Sequence, residues 1–423
     1  MQPTDLLMIY LAIRLLQFFG ERWLDYANRT YYNDPARQKH AQEALEISAT
    51  DMQKSVAYAS DKSRFGTWSS WFGQIVGIAF LCLGGLPIVL GWAQSLSSSV
   101  GGGAIVDGLF FLGILGLLSS IVGMPWEYYN TFVIEEKHGF NKQTPKGFFI
   151  DRIKGFSIGI VLGGGLLSVL LYVMESVNNW WIWAWLLFFG FNLVIAWLYP
   201  TVLAPIFNKF SPLEAGELKD SLFALAKKVK FNADSISVMN ASIRSSHGNA
   251  YFSGMFGKKK IVLFDTLIEA MSPKEIVAVL AHELGHFKLH HIRWSLIRSF
   301  FITGLMFYVL SLCLPQKAFY EAFFLEEVSS YGALVVFSLW FGPIGFLFQP
   351  IGTYLSRRNE FAADAFALEN IEDRRTLGDA LLKLRRKSHG MPLTHPKYSM
   401  VYHSHPPMLE RLKAMNWQPK PEP

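Results

Sequence analysis

Apolar residues along this chain run in long blocks instead of alternating with polar ones. Blocks near 5–20, 71–92, 104–123, 156–174, 180–200, 298–314 and 333–353 approach the length a helix needs to cross the hydrocarbon core of a bilayer. The pattern therefore predicts seven membrane helices. Arg14 interrupts the first block, so that helix must turn the guanidinium toward the bundle interior or a watery cavity. The fifth block has Trp near both ends, as expected at headgroup level. Gly155, Gly159 and Gly163 form a small-residue stripe on the fourth, which predicts close approach of a neighbouring helix.

The connections between blocks divide by charge. The first carries Arg22, Arg29, Arg37, Lys39, Lys54, Lys62 and Arg64, and the third, the fifth and the C-terminal stretch are also basic. The second and fourth contain no Lys or Arg, and the sixth has only Lys317. Basic loops mark the cytoplasmic side, so this alternation predicts an outside N-terminus and a cytoplasmic C-terminus. The expected organisation is membrane helices one to five over 1–200, a water-facing domain over 201–297, helices six and seven over 298–353, and the remainder of that domain over 354–423.

Composition agrees with this picture. Charged residues make up 17% of the chain, against roughly 25% in soluble proteins. The formal charge of +6 comes with no basic stripe interleaved with aromatics, so topology accounts for it and no nucleic-acid partner is expected. Cys82 and Cys313 fall within apolar segments as small hydrophobic filler, not as a disulfide or thiolate site. The N-terminal segment lacks a basic start and a small-residue cleavage site, and is expected to remain as a membrane helix.

The chemistry concentrates between the fifth and sixth blocks. SLFALAKKVK reads as an amphipathic helix, followed by β-prone runs SISVM, NAYFSGMF and KIVLFDTLI, with a turn at Gly257–Lys260. The next helix should begin at Ser272 as cap, with Pro273 at its first position and Glu275 closing a capping box. It carries His282-Glu283-Leu284-Gly285-His286, an HExxH pattern. Residues four apart share a helix face, so both imidazoles can bind one zinc ion with Glu283 beside them as general base. Catalytic zinc takes three protein ligands and keeps one position open. For the third ligand the sequence offers Glu360, His290, His291, His247, His138, His403 and His405. His290 lies too far along the helix axis from His282 to share the ion comfortably. Glu360 is in a helix-like stretch, SRRNEFAADAFAL, with Asp364 one turn further on the same face, as suits a carboxylate that orients a ligand histidine.

The HELGH motif, the Glu of SRRNEFAADAF, RSSHGNAYFSG, KKIVLFDTLI, MPWEYYNTFVIEEKHGFNKQT and SHPPMLERL together resemble the type I CaaX prenyl protease family of membrane zinc peptidases. Those blocks extend from the third apolar segment to the tail. The resemblance implies a mainly α fold: seven transmembrane helices enclosing a water-filled chamber, with a gluzincin-like zinc metalloprotease domain on the cytoplasmic side carrying a small β-hairpin or sheet. It implies His282, His286 and Glu360 as ligands of one catalytic Zn2+, Glu283 as base and Asp364 as the carboxylate behind a ligand histidine. Asn249 would hold the substrate backbone, and His405 would stabilise the oxyanion with Arg411 beside it. Glu135, Glu136 and His138 fit either the lining of a substrate entrance or a solvated loop. The chamber would give Arg14 and Glu127 somewhere polar to point. The implied activity is removal of the last three residues from prenylated proteins, in the endoplasmic reticulum membrane or a bacterial inner membrane. The same features fit a broad quality-control protease of membrane proteins. A seven-span metal-binding transporter or receptor is the alternative of another class, and a base beside the open metal position argues against it.

Overall fold

The computed structural model describes residues 2–253 and 259–419. The chain opens with helices α1 (Pro3–Tyr32), α2 (Pro35–Leu45), α3 (Ala49–Cys82), α4 (Gly85–Ser99), α5 (Ala104–Tyr129), α6 (Pro145–Ser176) and α7 (Trp180–Leu198). It continues through α8 (Ala204–Phe207), α9 (Glu217–Lys228), α10 (Asp265–Ala270), α11 (Pro273–Lys288), α12 (His291–Cys313), α13 (Lys317–Glu321), α14 (Ser330–Asn370), α15 (Arg375–Lys387), α16 (Pro396–Tyr402) and α17 (Met408–Ala414).

Among the described residues, six helices are long and apolar enough to cross a membrane, and a seventh span results if α3 and α4 count as one. Those two meet at an angle of 69°, so the second apolar block folds as a bent pair and not as one straight rod. Gly84 makes the bend possible with φ of 74°, a conformation that side chains disfavour. Large exposed apolar residues concentrate on the spans, Leu16, Ile153, Val161, Phe301 and Leu305 among them. Such a surface is suited to lipid and would promote aggregation in water. The glycine stripe behaves otherwise than expected. A Cβ at Gly155, Gly159 or Gly163 would meet nothing within 4 Å, so this face does not pack closely on a neighbour. Close approach occurs instead at Gly108, against Leu171 and Tyr331, and at Gly304, against Trp185.

The water-facing part contains a four-stranded sheet: β1 (Phe210–Pro212), β2 (Ser235–Met239), β3 (Ala250–Ser253) and β4 (Lys260–Phe264), in the order β1-β2-β4-β3. β2 runs parallel to β4, while β3 is antiparallel to β4 and forms one edge. The expected turn at Gly257–Lys260 begins at residues outside the described set, but the strands on either side pair as a hairpin, Tyr251 opposite Val262. β1 was not anticipated; three residues carry no readable periodicity. The core of this part joins Ile261 and Leu263 to Leu222 and Leu225 of α9, to Ile276, Leu280 and Leu284 of α11, and to Leu377 of α15. Burying each such side chain contributes roughly 1.5–3 kcal/mol.

The first basic connection is more than a topological marker. Tyr32, Ala41, Leu45, Ile47 and Met52 are buried in this same core, so the N-terminal segment helps to build the water-facing domain. The last apolar block and the helix-like stretch after it also turn out to be one helix, α14, of 41 residues, which carries Pro343 and Pro350 without interruption. A single continuous helix therefore runs from the membrane spans into the polar site.

Candidate active site

Two helices assemble the site. α11 begins as its sequence predicts: the Ser272 hydroxyl accepts from the Glu275 N–H at 3.4 Å and the Glu275 carboxylate accepts from the Ser272 N–H at 2.7 Å. Lys383 of α15 also donates to Glu275 at 2.8 Å, tying the helix start to the core. The apolar face of α11 buries Ile276, Ala278, Leu280, Ala281 and Leu284, and that packing fixes which way His282 and His286 point. α14 crosses against it at Gly285, where a Cβ would lie 3.1 Å from the Ala363 Cα and 3.2 Å from its carbonyl oxygen. Gly285→Val is expected to force the helices apart at a cost of about 1–3 kcal/mol. Metal content and thermal midpoint of the purified variant check this; wild-type values for both would show that the contact is unimportant.

The close crossing brings Glu360 to the two imidazoles. His282 Nε2 lies 3.4 Å from Glu360 Oε2, His286 Nε2 lies 3.3 Å from Glu360 Oε1, and the two imidazole nitrogens are 3.3 Å apart. These three residues form the group able to hold a metal ion among the described residues. Ligand atoms about 2.0–2.2 Å from a tetrahedral zinc sit about 3.3–3.6 Å from one another, so the donor spacing fits. Glu360 is only 4% exposed and its Oε2 has no hydrogen-bond partner. Arg411 Nη1 is 3.8 Å from that oxygen, too far to bond it, so a closer cation would relieve the cost of its burial. The donor set and the orphaned oxygen both suit a divalent ion.

Behind this group, Asp364 is 2% exposed and its Oδ1 lies 2.8 Å from His282 Nδ1. That contact holds the ring with Nε2 facing Glu360. Burial disfavours the charged imidazole of His282, but the contacts with Asp364 and Glu360 outweigh it and push its pKa up to about 9. A site that draws in a proton so strongly is one that favours added positive charge. His286 is oriented by a partner the sequence offered only as a possible ligand: its Nδ1 lies 2.9 Å from Nδ1 of His291, at the start of α12. Glu283 faces a cavity of about 670 Å³ shared with Tyr251, His286, His291 and Arg298. Burial raises the Glu283 carboxyl above its ordinary range, against the opposing pull of His282 and His286.

His405 approaches from the stretch between α16 and α17. Its Nε2 lies 3.4 Å from Glu360 Oε1 and its Nδ1 is 3.0 Å from the Ser404 hydroxyl, with the ring well exposed. Arg411, expected beside His405, packs against the metal-binding group, 3.8 Å from Glu360 Oε2. It is buried, donates to Asp364 at 2.8 and 2.6 Å, and lies 3.5 Å from His282 Nδ1. Its position makes it a clamp on Asp364. Asn249 is exposed at the start of edge strand β3, where its carbonyl accepts from Phe264 N–H at 3.0 Å and its side chain accepts from Ala250 N–H at 2.8 Å. Among the described residues, no hydrogen bond joins it to the three grouped residues.

The other histidines lie apart from the metal-binding group. His138 Nε2 is 2.8 Å from Asp61, His247 stacks on Phe140, His403 packs edge-on to Tyr398, and His290 caps α12 with φ of 58°. Glu135 accepts from Tyr58 at 2.8 Å and Lys62 at 3.0 Å, and Glu136 accepts from Asn141 at 2.8 Å, so both carboxylates already have partners. Glu127 pairs with Arg152 at 2.7 Å, and Arg14 donates to Gln17 at 2.8 Å. Glu127 and Arg14 thus each have a local partner.

Residues 35–209 match the family model described as CAAX prenyl protease N-terminal, five membrane helices, and residues 212–417 match that of Peptidase family M48. The CAAX prenyl protease 1 homolog of Mus musculus is 34% identical over 441 residues, covering 94% of this chain and 92% of its own length. The chain belongs to peptidase family M48. A Homo sapiens relative, CAAX prenyl protease 1 homolog, is 36% identical over 412 residues, covering 87% of this chain and 86% of its own. The crystal structure of S. mikatae Ste24p superposes with a TM-score of 0.89 at 32% identity, covering 97% of this chain and 98% of that one. The M48 chain therefore has the membrane chamber fold and is a multi-pass membrane metalloendopeptidase of the CAAX prenyl protease type. Family membership implies a metal cofactor and peptide or protein substrates.

Proposed function

We propose that this M48 protein is a zinc endopeptidase that removes the C-terminal tripeptide of prenylated substrates, with His282, His286 and Glu360 as the metal ligands. The orphaned Glu360 oxygen among correctly spaced donors carries the zinc assignment. When bound, the metal supplies Lewis acidity to the water and the scissile carbonyl. From its place in the cavity beside His286, Glu283 accepts the proton of the attacking water and returns it to the departing amine. His405 donates to the developing oxyanion, a type of interaction that contributes about 3 kcal/mol. Asp364 holds His282, and Arg411 holds Asp364. Asn249 receives the substrate backbone beside the β3 edge, whose free side can add an extended peptide as a further strand. The basic loops support a cytoplasmic position for this site.

Ile302 and Leu355 in the cavity beside Glu283 support a prenyl preference, since each buried methylene adds about 0.8 kcal/mol. The test is to incubate the purified, metal-analysed protein with matched prenylated and unprenylated peptides and map the products by mass. The expected product from the prenylated peptide is a released tripeptide, formed at least tenfold faster than from its unprenylated counterpart. Equal rates would replace prenyl-dependent processing with general proteolysis of membrane proteins.

A further inference from the structure

The site opens in two directions with different chemistry. On one side, the cavity containing Glu283 extends along Ile302 and Leu355 of the membrane helices. On the other, a cavity of about 810 Å³ runs from His405 and Pro406 to the C-terminal end of α15, where Arg385 and Lys387 of the helix and His389 just beyond it line the wall. Glu269 is the one carboxylate-bearing residue among its described lining residues.

Arg385 is the member without an explanation. Only 6% of it is exposed, and it donates to the Ser55 hydroxyl at 3.2 Å and the Gly390 carbonyl at 2.9 Å. Among the described residues it forms no ion pair, and its Nε is buried with no hydrogen-bond partner. Asp51, the nearby anion, is already paired with Arg386 at 3.2 Å. His389 Nδ1, in the same wall, is also buried and unpartnered. A buried guanidinium with no counter-charge is costly, and an anionic group brought into the cavity would relieve that cost.

A substrate anchored in the membrane keeps its anchored part with the membrane helices. Its free end must then pass His405 into the basic cavity, and three extended residues reach about 10 Å beyond the cleaved bond. We propose that Arg385, with His389 beside it, binds the C-terminal carboxylate of the peptide and makes the enzyme selective for a free chain end. This rests on the peptide-cleaving reading of the site.

The test uses the full-length enzyme and two peptides cleaved at the same bond, one ending in a free carboxylate and the other in a carboxamide. Wild type should prefer the acid by about ten- to hundredfold in kcat/KM, the range for a hydrogen-bonded charge. Arg385→Gln should bring that ratio close to one, and Arg385→Lys should restore part of it. A residue that only braced α15 against Ser55 would leave the ratio unchanged. Equal cleavage of both peptides by wild type, or an undiminished ratio in folded Arg385→Gln, overturns the assignment. Inhibition of wild type by the tripeptide acid and its amide requires no variant: the acid should inhibit at least tenfold better, and equal inhibition also overturns it. Failure of wild type to cleave either peptide is a different result, and it removes the protease reading itself.

Discussion

Glu283→Ala should lower peptide cleavage by about a hundred- to ten-thousandfold, the usual contribution of a general base, while leaving the metal in place. The reason lies in the division of labour on α11. His282 and His286 point their Nε2 atoms at Glu360, whereas Glu283 lines the adjoining cavity and is not one of the three grouped donors. Removing its carboxylate also removes a buried, partly desolvated charge, so the fold should tolerate the change. Metal analysis and single-turnover cleavage, measured on the same preparation, separate the two effects. Loss of metal together with activity would make Glu283 a ligand, and retained activity would exclude it as the base.

Asp364→Ala should be more damaging than the loss of one hydrogen bond. It leaves the buried Arg411 guanidinium without its bidentate partner, and breaking a buried ion pair costs about 3–5 kcal/mol. The anion then remaining within reach is Glu360, 3.8 Å from Arg411 Nη1. Arg411 would compete with the metal for that carboxylate. His282 would also lose the acceptor that orients its ring, an effect on metal affinity of about ten- to a hundredfold by itself. The expected result is a lower thermal midpoint in detergent and a large rise in the zinc dissociation constant. Replacing both residues, as Asp364→Leu with Arg411→Met, should recover much of the stability because no uncompensated charge remains. It should not recover zinc affinity, because His282 Nδ1 still lacks its partner. If the double variant bound zinc like wild type, the positioning role of Asp364 would be excluded.

The helices and their order were legible because both signals are local. A bilayer demands long apolar runs, and a helix N-terminus demands a cap, so the blocks and the Ser272–Glu275 box follow from neighbouring residues. HExxH was legible for the same reason, since residues four apart share a face whatever surrounds them. The bend between α3 and α4 was hidden because apolar composition continues across it while Gly84 turns the chain. The glycine stripe was misleading because small residues permit close packing without requiring it.

The sequence alone determined the membrane spans, the helix that carries two imidazoles and a carboxylate in fixed spacing, and the short set of groups able to complete the cluster. Each depends on the chemistry of residues within one or two turns of each other. The tertiary fold decided which of those groups arrives. Gly285 lets α14 come close enough to deliver Glu360, while Arg411 and His405 come from a tail more than a hundred residues away from α11. It also drew α2 and the start of α3 into the water-facing core and left Arg385 buried and, among the described residues, without an ion pair. Contacts between distant segments are set by packing of the whole chain, and no local periodicity encodes them.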